Sequence, residues 1–486
     1  MGKIEEFDVA IIGAGVIGAA LARELSRYQL SIALLEKEND VGCGTSKANS
    51  GIVHSGIHED PGSTKGRLCI AGNRLYPALA GELDVLYQNN GSILVAKSEA
   101  EFPVLESMYQ NGIANGLTGI ESLNRRQLLD LEPHLSPELA GGLLVPGAGT
   151  VVPFDLVFAL VENALDNGVQ LRLGTEVVKI ETQTGHFIIQ TRQRGVLRAR
   201  YMVNAAGLYG AMIAGLIGDH SFTIAPRKGE EYLLDRRLEG LVRRTVFPLP
   251  DKTSKGILII PTVDGNIMIG PTAKSTDKLT DDSTSSSGWQ EIFENAQSLV
   301  PSLRPADLIT SFAGIRAVSP DEDFILRPSP LNPRFIHAAG IASPGLTAAP
   351  AIALELVELL REAGLILKSK QRFNPERKLI RLRQLNREEQ AELMERDRRY
   401  ANIVCRCELV SEAEIRTAIR RGATTVDGVK LRTRAGMGRC QGGFCTPRII
   451  QILSEELGID PTAVRKKGPC SELLTGWLRE KAGVPG

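Results

Sequence analysis

Apolar runs and one helical stretch follow each other in a fixed order over the first 36 residues. Residues 8–12 form an apolar run of strand length, residues 19–28 have helical spacing, and residues 31–35 form a second apolar run that ends at Glu36. That order predicts a parallel βαβ unit. Between the first strand and the helix stands Gly13-Ala14-Gly15-Val16-Ile17-Gly18, a GxGxxG turn. Gly13 allows the tight turn, Gly15 lets the backbone approach a pyrophosphate, and Gly18 lets helix and strand pack closely. The helix start offers N–H groups to phosphate. Glu36 can accept hydrogen bonds from an adenosine ribose, which disfavours a 2′-phosphate there. The pattern predicts a dinucleotide site and leaves FAD and NAD both open.

The following stretch, residues 41–56 (VGCGTSKANSGIVHSG), is too rich in glycine and serine for a helix or a strand core, and is expected to line a ligand. It carries His54, and His58 follows; they are two of only six histidines in the chain. A histidine here is either a general base, since its ordinary pKa suits taking a proton from an alcohol, or a group that hydrogen-bonds loop backbone. Further helices are predicted over 66–86, 99–112, 155–167 and 348–363, with strands over 91–96, 169–173, 177–181, 231–234, 256–261, 266–270, 311–317 and 335–340. Residues 201–209 read as a buried strand closing on a glycine turn. Arg227, Lys228 and Lys255 fall at strand edges, where solvated cations are the ordinary occupants and a charged substrate would need one or two of them. Arg316 stands in an apolar, small-residue strand; burial without a partner is costly, so it should face a carboxylate or a bound anion. Residues 280–288 read as a polar surface loop without assignable chemistry, and 368–400 as a charged linker or surface helix.

A second strong signal lies near the C-terminal end. Cys405-x-Cys407 is followed, after 32 residues, by Cys440 and Cys445 in Cx₄C spacing. Two tight pairs of thiols match the ligand count of a [2Fe–2S] cluster or of a tetrahedral zinc. Zinc sites usually use CxxC pairs, so this spacing favours the cluster. One helix is expected in the spacer, over 412–421 with Ser411 as its N-cap, and another over 447–457. Residues 436–443 (GMGRCQGG) are flexible enough to wrap a cluster. Cys43, Cys69 and Cys470 read as plain small residues.

Length and charge narrow the setting. At 486 residues the chain exceeds one typical core, so two or three domains are expected. Basic and acidic residues balance at 57 each, so no global field favours a nucleic-acid partner. No run reaches the roughly 18 apolar residues of a membrane span. With no signal peptide ahead of the first strand, a cytoplasmic location is expected, compatible with peripheral docking on the cytoplasmic membrane.

Residues 1–366 resemble the FAD-dependent oxidoreductases of the D-amino-acid oxidase and glycerol-3-phosphate dehydrogenase superfamily, through GAGVIGAALARELS, TSKANSGIVHSG, VNAAGLYG and GIASPGLTAAPAIA. VCRCELVSEAEI to RTRAGMGRCQGGFCTPR resembles the bacterioferritin-associated-ferredoxin type of [2Fe–2S] domain, and the combination resembles the catalytic subunits of anaerobic glycerol-3-phosphate dehydrogenases. The resemblance implies FAD as the dinucleotide. It implies an α/β fold: a Rossmann-like FAD-binding domain (about 1–75, 150–215 and 310–367) with an inserted antiparallel-sheet substrate domain (about 76–149 and 216–309). A linker over 368–400 and a small, mainly helical [2Fe–2S] domain over 401–486 complete the expected organisation.

The expected site follows from the same resemblance. Gly13, Gly15 and Gly18 would carry the FAD pyrophosphate and Glu36 its ribose; Ser46, Asn49 and Ser50 would lie along the isoalloxazine edge. Gly345, Leu346 and Thr347 would donate to the flavin N1/C2 carbonyl side, with Ile17, Lys37, Thr45, Gly51, Val177, Ala206 and Gly207 as further cofactor contacts. His54 would remove a hydroxyl proton as hydride moves to flavin N5, while Arg316, helped by Lys255, clamps the substrate's anionic group. Electrons would leave singly through a cluster on Cys405, Cys407, Cys440 and Cys445 to a protein acceptor or partner subunits. The implied substrate is a small anionic secondary alcohol, sn-glycerol 3-phosphate, oxidised to dihydroxyacetone phosphate. NSGIVHSGIHEDPGSTKGRLCIAG is also similar to L-2-hydroxyglutarate dehydrogenases and oxidases; the iron–sulfur domain and PTVDGNIMIGPTA favour the glycerol-phosphate branch. Two other classes stand beside these: a flavin oxidase using O₂, and an electron-transfer subunit of a larger complex.

Overall fold

The structure, a computed structural model, describes residues 4–193, 195–250 and 255–477. The chain divides into two units: Met1–Lys37 with Val41–Arg377, and Glu38–Asp40 with Lys378–Gly486.

In the first unit the opening apolar runs are strands β1 (Glu5–Ile12) and β2 (Ile32–Leu35), joined by helix α1 (Val16–Leu25). They belong to a parallel set that runs Gln170–Arg172, β2, β1, Gly195–Asn204 and Asn332–Ala339. Ile11 pairs with Leu34 on one side and Val203 on the other, and all three are fully buried. A parallel strand covered on both faces needs a continuous apolar run rather than alternation, which is what these segments show. The antiparallel hairpin Val177–Gln183/His186–Thr191 and the strand Ile325–Ser329 complete this eight-stranded sheet.

A second sheet of nine strands draws on residues 92–145 and 225–318. Its pairings are antiparallel except where Thr245–Pro248 runs parallel to Ser92–Ala96. Ser92–Ala96 shows how it is covered: Ile93 and Val95 pack with Ile292 and Phe293 of helix Ser286–Leu299, while Leu94 and Ala96 pack with Phe247 and Met268 on the other face. Helix Ser286–Leu299 begins inside the stretch expected to be a plain loop. Its cap, Ser285, gives both its N–H and its hydroxyl to the buried carboxylate of Glu230, so the polar residues there are structural.

The first part of the charged stretch expected to be a linker or surface helix, residues 368–377, is docked within the first unit. Gln29 donates to the Lys368 carbonyl and Lys370 to that of Arg27, so the segment is docked beside the loop that follows α1. Arg377, 2 % exposed, donates to Glu162 at 2.8 Å and to Asp155 at 3.2 Å. Its charge is buried because two carboxylates are there to meet it. Arg377→Ala strips both of that counter-charge, and chemical denaturation should register a loss of about 3–5 kcal/mol. A change below about 1 kcal/mol would place the pair among weak surface bridges.

The second unit carries helix Arg387–Arg396, which buries none of its residues, and a small core. A hairpin (Ile403–Cys405 with Val410–Ser411) leads into helices Glu412–Arg420, Val426–Thr433 and Thr446–Leu457. Ser411 caps the first as expected, accepting the Glu414 N–H. The spacer between the cysteine pairs therefore holds two helices, not one. The missed helix is eight residues long, contains Gly428 and has almost no one-sided apolar pattern; it is held by the Thr425 cap and by Val429 in the core.

Candidate active site and cysteine cluster

In the turn between β1 and α1 the backbone leaves no room for a side chain at Gly13 or Gly18. Gly13 has φ +100°, and a Cβ there would stand 2.5 Å from the Ala205 carbonyl oxygen; one on Gly18 would overlap the Gly13 carbonyl. A Cβ on Gly15 would meet Ser46 Oγ at 3.1 Å. That hydroxyl accepts the Val16 N–H at 2.9 Å, serving a first-turn amide that has no acceptor within the helix. Ser46, expected along the isoalloxazine edge, thus stands against the start of α1. Glu36, 8 % exposed, accepts the Ala14 N–H at 2.9 Å and so stiffens the turn itself. Bare backbone, helix-start amides and a buried acid at the end of β2 make a cradle that fits the ADP half of FAD.

The other residues expected to contact the cofactor lie on several elements of the first unit. Ile17 is buried on α1, and Lys37 lies 4.5 Å from the Tyr209 ring centroid. Val177 opens its strand opposite Thr191, Ala206 donates its N–H to Asn204 Oδ1 at 3.3 Å, and Gly207 has φ +56°. In the serine-rich loop, Thr45 donates to the Ile315 carbonyl at 2.6 Å. Asn49 donates to the Ser46 carbonyl and accepts the Gly51 N–H, and Gly51 packs against the Val151 carbonyl too closely for a side chain. These polar groups hold the loop in shape.

His54 is fixed by its backbone. Its N–H donates to Thr347 Oγ1 at 2.9 Å, and its carbonyl accepts from Asn73 Nδ2 at 3.0 Å. The Thr347 hydroxyl donates in turn to the Ile52 carbonyl. It is therefore committed to the histidine strand, and the Gly345 N–H to the Ala342 carbonyl at 2.6 Å, so a flavin carbonyl would have to be met by the later first-turn amides of helix Gly345–Glu362. Tyr76 donates to the Leu346 carbonyl at 2.6 Å, bracing the same helix start. His54 Nε2 lies 3.4 Å from the Ser343 hydroxyl. His58 and His54 flank Phe247, with ring centroids 4.9 and 6.2 Å from it.

Lys255 is brought to these histidines from a distant strand connection. Its ammonium pairs with Glu59 at 2.7 Å. Burial, then the Lys255 charge, then His58 hold His54 well below the ordinary imidazole value; burial and Lys255 do the same to His58. His54 is consequently neutral at neutral pH, the form that can accept a proton.

Arg316 has other neighbours. It donates to the Thr272 carbonyl at 3.3 Å and lies over Gly229, where a Cβ would come within 2.6 Å of its Nη2. On the same sheet face is Glu231, 3 % exposed, which accepts the Ser50 hydroxyl at 3.0 Å. Burial pushes the Glu231 carboxyl up to about 7, against the pull of Ser50 and Arg316. Of the carboxylate or bound anion that Arg316 was expected to face, Glu231 is a carboxyl group whose charge it feels. Asn73, Glu59, Phe247 and Glu231 were not legible beforehand, because each acts on a partner that no periodicity links to it.

The four thiols form two pairs. Cys407 and Cys440 have their sulfurs 3.7 Å apart, and the Cys445 thiol donates to Cys405, drawing the latter below its ordinary pKa. Cys405 and Cys445 are 2 % exposed, within the small core, while Cys407 is exposed. A Cβ on Gly438 would overlap Cys407, so glycine is what lets the loop close on the thiols. Two thiols per pair suit a cluster of two irons, each taking two thiolates.

Residues 8–359 match the FAD dependent oxidoreductase family (DAO), and residues 403–455 match the BFD-like [2Fe-2S] binding domain. A glycerol 3-phosphate dehydrogenase of Caloramator mitchellensis is 43 % identical over 473 residues, covering 97 % of this chain and 98 % of that protein. An L-2-hydroxyglutarate dehydrogenase of Escherichia coli K12 is 29 % identical, covering 72 % and 92 %. The structure of dithionite-reduced L-α-glycerophosphate oxidase from Mycoplasma pneumoniae with FAD bound matches with TM-score 0.75 and 33 % identity, over 78 % of this chain and 100 % of that one. The expected fold class and both cofactors, FAD and a [2Fe–2S] cluster, are borne out. Among the described residues no helix is long and apolar enough to cross a membrane.

Proposed function

Since the chain belongs to the FAD-dependent oxidoreductases of the glycerol-3-phosphate dehydrogenase/oxidase type, we propose that it oxidises sn-glycerol 3-phosphate to dihydroxyacetone phosphate. His54 carries this reading: a neutral imidazole, fixed at both its N–H and its carbonyl, beside a lysine ammonium. The match to a glycerol 3-phosphate dehydrogenase over nearly the full length supports the substrate. Gly13, Gly15, Gly18 and the start of α1 hold the FAD pyrophosphate, Glu36 the ribose, and Cys405, Cys407, Cys440 and Cys445 the cluster. Bound FAD supplies the hydride acceptor and the cluster a carrier of single electrons toward a protein acceptor or partner subunit.

The protein's own part is acid–base chemistry and positioning. His54 takes the secondary hydroxyl's proton at Nε2, the nitrogen beside Ser343. Lys255 and Arg316 bind the phosphate and so hold the carbinol carbon in register. Lys255 opposes protonation of His54 in the free protein. A bound phosphate offsets that charge, so His54 becomes a stronger base once the substrate is in place.

The test is an anaerobic visible spectrum during titration with sn-glycerol 3-phosphate and then with L-2-hydroxyglutarate. Bleaching of the flavin band by the first, with partial loss of the iron–sulfur absorption, is the expected result. Bleaching by the second alone would move the substrate to the 2-hydroxy acids. If neither bleaches a flavin that dithionite can reduce, substrate oxidation at this site is refuted.

A further inference from the structure

We propose that His58 binds substrate directly, donating a ring N–H to an oxygen of the substrate's anionic group beside Lys255. This rests on the reading of the His54 site as one that oxidises an anionic alcohol. Both ring nitrogens of His58 are buried and have no hydrogen-bond partner among the described residues. A neutral imidazole carries one N–H donor and one acceptor nitrogen, and burying both unmade lowers stability. The turn that carries the ring, in contrast, is bonded on both sides. Asn111 donates to the carbonyls of Ile57 (2.7 Å) and Glu59 (3.0 Å), and Asn115 to those of Gly56 (3.0 Å) and Glu59 (2.7 Å). Four side-chain bonds thus hold the backbone on either side of a ring that has none of its own. Such a fixed, unsatisfied group is suited to a partner that the chain does not supply.

The surroundings define that partner. One side of the ring is the face of Phe247; the nearby charges are the Lys255 ammonium and the Glu59 carboxylate paired with it at 2.7 Å, which Lys65 also meets at 3.6 Å, so two cations stand against one acid. Burial and Lys255 keep His58 neutral, so it offers a donor without adding another cation. A cation plus a neutral N–H suits a phosphate or carboxylate oxygen. His54 is close enough to feel both Lys255 and His58, so the anion and the reacting hydroxyl must belong to one short molecule. Glycerol 3-phosphate, with its phosphate on the carbon next to the carbinol, meets that requirement.

The experiment compares His58→Phe with the wild-type holoenzyme. Phenylalanine keeps the packing on Phe247 and removes both nitrogens. The KM for glycerol 3-phosphate should rise about 10- to 100-fold, as expected for a lost bond to a charged group. Inorganic phosphate, titrated against the flavin absorption, should bind more weakly by a similar factor. The melting temperature should be equal or higher, since two unpaired buried nitrogens are gone. KM and phosphate binding both within twofold of wild type would overturn the proposal. If His58→Phe loses its flavin, His58→Gln and His58→Ala decide. A KM for His58→Gln nearer to wild type than that of His58→Ala upholds the role, and equal values refute it. If glycerol 3-phosphate does not bleach the wild-type flavin, the substrate reading alone has failed; the phosphate titration then decides for His58.

Discussion

His54→Ala should slow anaerobic flavin reduction by glycerol 3-phosphate about 10²–10⁴-fold, the usual contribution of a positioned base, while FAD stays bound. The retention is as informative as the loss. The histidine's bonds to Thr347 and Asn73 are made by backbone, and alanine keeps them, so the loop should hold its shape. The pH profile gives an independent check. Because burial and Lys255 lower the His54 pKa, the unprotonated form prevails through the neutral range, and wild-type reduction should fall only below about pH 6.5. Lys255→Met removes one cause of that lowering, so the acid limb should move up in pH as substrate affinity falls. Flavin reduction undiminished in His54→Ala would assign the proton to another group.

Cys440→Ser should leave flavin bleaching by glycerol 3-phosphate intact and bring turnover with one-electron acceptors to background, with the iron–sulfur absorption lost. Position 440 is the informative choice. Cys405 and Cys445 belong to the small core, where a hydroxyl would also disturb packing, whereas Cys440 lies in the loop beside the exposed Cys407. Two thiolates per iron leave no spare ligand, so loss of one thiol removes the cluster's fourth anchor. Unchanged turnover would mean that electrons leave from the flavin itself, as in an oxidase, and that the C-terminal unit has a structural task. Separating bleaching from turnover keeps substrate oxidation and electron exit apart as questions.

The parts of this protein that could be read from residues alone are those whose physics is local. β1, α1 and β2 lie within 31 residues of one another, and each glycine of the turn is demanded by a neighbour a few positions away or by a ligand. The cysteine pairs are tight spacings that few uses other than ligation explain. Even Arg316 was legible in outline, since a lone arginine in an apolar strand should face a carboxylate or a bound anion; that Glu231 shares its sheet face was not. The short helix Val426–Thr433 escaped because its stability comes from a cap and a shared core rather than from its own pattern.

What tertiary structure alone decided is who satisfies whom across long separations. Ser50 gives its hydroxyl to Glu231, 181 residues away, Lys255 meets Glu59 across 196, and the His54 N–H finds Thr347 across 293. Burial obliges polar groups to find partners, but it does not say which ones. Any of several hydroxyls could have met the His54 amide, and folding left the Thr347 hydroxyl as its partner, while the ring nitrogens of His58 have no hydrogen-bond partner among the described residues. Sequence thus determined that the chain holds a dinucleotide and a set of four thiols. The meeting of sheets and loops determined which groups surround His54 and His58, because those neighbours depend on distances that periodicity does not encode.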